Sequence, residues 1–192
     1  MSAYMDSCCF IDVAKYTLGR QDTIENLEDK EGHVQSCVKL LEAAGRGYIR
    51  VLTGTLTISE CTHLSGVFDD DVKRLFRSIL SSSKVVRLVT DTVFIAERAR
   101  DLKWVHNVHL RGADATHVAS ALESGCKEFI TDDHKILKYA PELAKLGLRA
   151  VRGDETKLLT KYLLDEAANS VTGASIGMSQ TPLFDSSEPS ES

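Results

Sequence analysis

The sequence predicts an α/β domain on a mostly parallel sheet of about five strands, because short β-rich runs alternate with longer segments of helical period and turn residues separate the two. The strand candidates are residues 3–11 (AYMDSCCFI), 48–58 (YIRVLTGTLTI), 84–89 (KVVRLV), 126–131 (CKEFIT) and 148–153 (LRAVRG). These short runs, alternating with the helical segments, read as strands of a mostly parallel sheet. Between them, residues 32–45, 69–82, 91–104 and 113–125 carry apolar residues at helical spacing, with Asp or Thr near several starts and Gly at several ends. A final helix is expected over 154–168, capped by Asp154.

The domain is expected to end near residue 168. From there to residue 192 the chain turns Ser-rich and acidic, holds two of its three prolines and has too little apolar surface to offset the entropy of ordering, so a disordered tail is predicted. The 192-residue chain is long enough for one core without disulfides or structural metal. Its five cysteines are odd in number and lack a C-x-x-C pair, which favours reduced core thiols over a disulfide framework or a zinc knuckle. No window reaches the roughly 18 apolar residues of a membrane span. The start contains Asp6 and lacks a basic leader, so the expected location is cytoplasmic.

The formal charge is −5, but no Lys or Arg follows Lys161, whereas Asp165, Glu166, Asp185, Glu188 and Glu191 do. Removing those five from 28 acidic residues leaves 23 against 23 basic ones, so the body is neutral. It lacks the general basic signal of a nucleic-acid binder without excluding a polyanionic substrate.

In parallel α/β sheets, ligands bind beyond the carboxyl ends of the strands. Four acids fall at such junctions: Asp6 in the first run, Glu60 after the second, Asp114 at a helix start and Asp133 after EFIT. Each alone has an ordinary explanation as a cap, a turn residue or a first-turn acid. Together they would repel, at about 3 kcal/mol per pair for a separation of ~5 Å and an effective dielectric near 20. A shared divalent cation would remove that cost. All-oxygen donors favour Mg²⁺ or Mn²⁺ over zinc, and such ions suit phosphodiester cleavage.

The segments YMDSCCFIDVAK, TISE and ADATHVASALESGCKEFITDDHKIL resemble, in that order, the acidic motifs of PIN-domain ribonucleases. The resemblance runs from the first strand to about Tyr139 and implies a three-layer α/β/α PIN-like domain. By it, Asp6, Glu60, Asp114 and Asp133 are the catalytic and metal-holding positions for Mg²⁺ or Mn²⁺. Asp133 is preferred to Asp132 because the family's acid is the last residue of T-x-D. Ser7 and Thr131 match hydroxyls that support the cluster, with Asp132 and His117 as further supporting residues. Cys8 stands where the family commonly has Asn, and a thiol cannot reproduce an amide's hydrogen bonds.

Among the basic residues Lys15, Arg20, Arg46, Arg50, Arg111, Lys135 and Lys138, the two that flank the acids, Arg111 and Lys135, are the leading candidates for substrate phosphate. Asp12 is expected to cap or begin the first helix, and Trp104 to pack in the core or at an interface.

The resemblance implies an endoribonuclease hydrolysing RNA phosphodiester bonds and, by likeness to VapC-type members, the toxin of a toxin–antitoxin pair with a cognate antitoxin and a homodimeric state. Extra sequence between residues 17 and 47 departs from a compact toxin. Gln180 to Phe184 (QTPLF) is similar to a sliding-clamp-binding peptide. The alternative is a non-catalytic PIN-like RNA-binding or protein-binding module. A haloacid-dehalogenase phosphatase lacks its second Asp here, a receiver domain its early acidic pair, and a Cys61–His117 hydrolase any feature that joins its two residues.

Overall fold

The computed structural model describes residues 2–64, 69–81 and 85–172, the last six as backbone only. The five strands are β1 (Ser2–Met5), β2 (Arg50–Gly54), β3 (Val86–Val89), β4 (Glu128–Ile130) and β5 (Arg149–Val151). All pair in parallel, in the order β3-β2-β1-β4-β5. β1 is central, with Ala3, Tyr4 and Met5 wholly buried. The pleat sends Ala3 and Met5 to one face and Tyr4 to the other. On the first face they join Phe10, Leu40, Leu41, Ile79 and Tyr162, and on the second Tyr4 joins Leu102, Val118, Phe129 and Ile136. Helices cover both faces, giving three layers.

The first face is covered by α1 (Ser7–Thr17), α2 (Leu27–Gly45), α4 (Asp70–Ser81) and α9 (Thr160–Thr172). The second is covered by α5 (Val93–Trp104), α6 (Gly112–Glu123), α7 (His134–Leu137) and α8 (Ala140–Lys145), while α3 (Leu56–Glu60) follows β2 directly. Several starts have a physical cap. Asp69 accepts from the Val72 N–H at 2.9 Å and Thr92 from the Ile95 N–H at 3.3 Å.

All five strands are shorter than their candidate runs, two of them because the run continues as a helix. The run 3–11 stops at Asp6, whose side chain accepts the Ser7 N–H and starts α1. An unbroken apolar run does not by itself distinguish a buried strand from a buried helix, and Cys9, Phe10, Val13 and Ala14 are spaced for the latter. The run 48–58 likewise yields β2, then α3. Asp12 lies within α1 and does not begin it. Asp154 sits in a short 3-10 turn (Gly153–Glu155) ahead of α9 and does not cap that helix. α9 continues to Thr172, so of the expected tail only residues 173–192, with Gln180 to Phe184, lie outside the described residues.

The strand order turns back at β1. β2 and β3 extend one way from it and β4 and β5 the other, so the crevice of this sheet opens beyond the carboxyl ends of β1 and β4. There Met5 pairs with Ile130, and the Asp6 N–H donates to the Ile130 carbonyl at 3.0 Å.

Candidate active site

Asp6 leaves β1 at that crevice. One carboxylate oxygen accepts the Ser7 N–H at 2.8 Å, and the other accepts the Thr131 hydroxyl at 2.7 Å with the Cys8 thiol 3.6 Å away. Asp6 is only 6% exposed, and no Lys or Arg pairs with it among the described residues. Burial pushes its carboxyl above the ordinary range, against the hydrogen bonds and a nearby His117 that pull it down.

Thr131, wholly buried after β4, links two acids, since its oxygen also accepts the Asp133 N–H at 3.0 Å. Asp133 is half-buried and caps α7, accepting the Lys135 N–H at 2.7 Å. Asp114, half-buried in the first turn of α6, is raised first by burial and then by Asp133, with Glu60 adding to it and Lys135 and His117 opposing. The end of α3 supplies Glu60, which faces His117 Nε2 at 2.8 Å. A carboxylate accepts only, so Nε2 carries the hydrogen and Nδ1 accepts from the Tyr4 hydroxyl, also at 2.8 Å. The approach is close: a Cβ on Gly54 would stand 2.7 Å from the Tyr4 oxygen.

The fold thus brings Asp6, Glu60, Asp114 and Asp133 from four separate segments to one end of the sheet. Ser7 and His117 each contact one of these acids, Ser7 through its backbone, and Thr131 contacts two. Asp132 turns away. It is 8% exposed, with one oxygen 2.9 Å from Lys30 Nζ and the other 3.4 Å from Arg152 Nε. Asp12, also buried, faces the same Lys30 at 4.0 Å. Sequence reasoning missed this ion-pair group and the Tyr4 hydroxyl, because nothing in the chain marks Lys30 or Tyr4 as neighbours of the acids.

Several basic candidates already have partners. Lys15 donates to the Thr23 carbonyl at 2.9 Å, Arg20 pairs with Asp69, Arg46 with Glu166 at 3.2 Å, and Lys138 lies over the Tyr139 ring. Arg111 and Lys135, which flank Asp114 and Asp133 along the chain, are exposed. Trp104 is not in the core, being 72% exposed.

Cys8 stands beside the acids, 3.6 Å from the Thr131 oxygen and 3.9 Å from Cys9 Sγ. Its thiol is pushed well above the ordinary range, first by its hydrogen bond with Cys9 and then by burial. A second cluster, Cys9, His33 and Cys37, is the set of potential metal ligands among the described residues whose donor atoms all lie within 4.8 Å of one another; the four acids are more widely spaced. This buried trio does not fit a metal. The Gly153 N–H donates to His33 Nδ1 at 2.8 Å, so Nε2 holds the ring hydrogen and points it at sulfurs 3.6 and 3.7 Å away. With no free lone pair on Nε2, the trio is a hydrogen-bonded core element.

The acids do fit a divalent cation. They are oxygen donors at the crevice of a parallel sheet, and the most buried of them, Asp6, has no Lys or Arg partner among the described residues. Fold and site together define a three-layer α/β domain with acidic side chains at the carboxyl ends of its parallel strands. The PIN-domain family model matches residues 24–142, most of the chain, and the chain belongs to that family. The match includes Glu60, Asp114 and Asp133 but begins after Asp6. No curated protein and no solved structure gives a significant match. PIN domains are generally nuclease modules that act on RNA or DNA and use divalent metal ions. Among the described residues no helix is long and apolar enough to cross a membrane.

Proposed function

We propose that this protein is a Mg²⁺- or Mn²⁺-dependent endoribonuclease with Asp6, Glu60, Asp114 and Asp133 as the metal-holding and catalytic acids. The observation that carries the reading is Asp6: a nearly buried carboxylate, paired with no Lys or Arg among the described residues, joined through the Thr131 hydroxyl to the backbone of a second acid. Such a charge is costly to keep unless a cation is its purpose. A bound Mg²⁺ or Mn²⁺ supplies phosphoryl polarisation and an acidified water. Thr131 and the Ser7 N–H fix the Asp6 oxygens, and His117, braced by Tyr4, fixes Glu60. Arg111 and Lys135 supply positive charge for the substrate phosphates.

The biological setting that the resemblance supports is a cytoplasmic VapC-type toxin, with a cognate antitoxin and a second copy of the chain as its partners. A binding module is the alternative. It draws support from the capping roles of Asp6 and Asp133, which give both acids a structural use. Incubating the purified protein with single-stranded and structured RNAs, with Mn²⁺ or with EDTA, decides between them. Internal cleavage that requires Mn²⁺ and is lost in Asp114→Asn is expected. Unchanged cleavage in that variant, or no carboxylate-dependent Mn²⁺ uptake by calorimetry, overturns the proposal.

A further inference from the structure

The groove between α5 and α6 lies outside the acidic cluster yet shares the first turn of the helix that carries Asp114. It is lined by Arg100, Lys103, Trp104, Arg111, Gly112 and Ala115 among others. The indole of Trp104 is 72% exposed and Arg100 lies over it, 4.9 Å from guanidinium carbon to ring centroid, covering one face. Arg100 has Asp101 within 3.6 Å, whereas Lys103 and Arg111 have no carboxylate within 4.0 Å among the described residues. Three cations around one exposed aromatic is a local excess in a chain whose formal net charge is −5.

We propose that this groove is a nucleotide subsite of the nuclease. An unpaired base stacks on the open face of Trp104, and Lys103 and Arg111 meet the phosphates on the path toward Asp114. The inference rests on the nuclease reading of the acids and adds to it the residues that position the strand. A flat ring accepts any base, and cations beside it take the backbone, which is how single strands are held without sequence preference. A second copy of this chain is a poorer occupant, because a two-fold contact over the groove would set Arg100, Lys103 and Arg111 against the same charges of its partner. A base-paired strand is also a poorer fit, since its bases are not free to stack.

The chain has one tryptophan, so its intrinsic emission reports on this ring alone. The full-length protein, held in EDTA so that nothing is cleaved, is titrated with single-stranded RNA and DNA of about ten nucleotides, inside the usual site size of roughly 4–16, and with the matching duplex. Quenching by the single strands and little by the duplex is expected. With dye-labelled strands, Trp104→Ala should weaken binding about five- to hundredfold and Trp104→Phe restore most of it, as for a base–aromatic stack. Lys103→Ala and Arg111→Ala should each lower the slope of log affinity against log salt by about 0.7. Three results overturn the subsite: labelled strand bound with Trp104 emission unchanged, Trp104→Ala binding like wild type, or a dimer that Trp104→Ala dissociates with strand binding intact. None of these readouts needs turnover. If Mn²⁺-dependent cleavage fails while the single strands still quench Trp104, the nuclease reading falls and the strand-binding groove stands.

Discussion

Thr131→Val isolates the contact on which the acidic site depends. The residue is wholly buried and the substitution nearly isosteric, so packing is kept while two strong hydrogen bonds and the weak 3.6 Å contact with the Cys8 thiol are lost. The first is the 2.7 Å bond from the Thr131 hydroxyl to a carboxylate that is only 6% exposed, worth about 1.5–3 kcal/mol as a bond to a charged group. The second is the 3.0 Å bond from the half-buried Asp133 N–H, worth about 0.5–1.5 kcal/mol. A loss of about 2–4.5 kcal/mol follows, a fall in Tm of roughly 4–18 °C for a chain of this size. Urea unfolding in EDTA at neutral pH measures it. The deficit should narrow on acidification, because Thr131 favours the ionised form of Asp6, and that form gives way as pH falls through its raised folded-state pKa. In parallel, Mn²⁺ titration should show weakened uptake. A variant within about 0.5 kcal/mol of wild type, the usual surface-substitution range, or a deficit that widens in acid, refutes the view that Thr131 holds Asp6.

Further outcomes follow from the same geometry. Asp6→Asn and Asp114→Asn should each abolish cleavage and raise the unfolding midpoint of metal-free protein at neutral pH. Both carboxyls have folded pKa values raised above the ordinary 3.8, so protonation stabilises the fold; the advantage of each variant, followed by urea unfolding across pH, should be present at neutrality and disappear below about pH 4. Asp132→Asn takes away the 2.9 Å partner of Lys30 and leaves it Asp12 at 4.0 Å; it should cost about 3 kcal/mol, the low end for a buried pair, because Lys30 also keeps 25% of its side chain in solvent. Calorimetry should show Mn²⁺ uptake retained, in contrast to Asp133→Asn. Gly153→Ala would place a Cβ 2.7 Å from the His33 carbonyl and should cost about 1–3 kcal/mol by overpacking, read as a lower thermal midpoint.

The alternation of short apolar runs with helical segments was enough for the layered parallel fold, since the period of burial is written in the chain itself. Element boundaries were less legible. Asp6 looked like a residue within a strand because the chain stays apolar on both sides, and only its hydrogen bond to the Ser7 N–H turns β1 into α1. Of the adjacent acids in Thr131-Asp132-Asp133, the sequence offered a motif-based preference, whereas the structure gives the two opposite surroundings. Asp133 lies toward Asp114, and Asp132 points into the ion pairs with Lys30 and Arg152.

By itself, then, the sequence determined the alternating layers, the residue types at the strand ends and the neutral body beneath an acidic end, because these depend on local periodicity and composition. The tertiary structure alone decided that β4 lies beside β1, and with it that Thr131 bridges Asp6 to Asp133, that Tyr4 braces His117, and that Trp104 stands among three cations. Those are contacts between residues far apart in the chain, and no local pattern encodes a distance that only strand order and helix packing set.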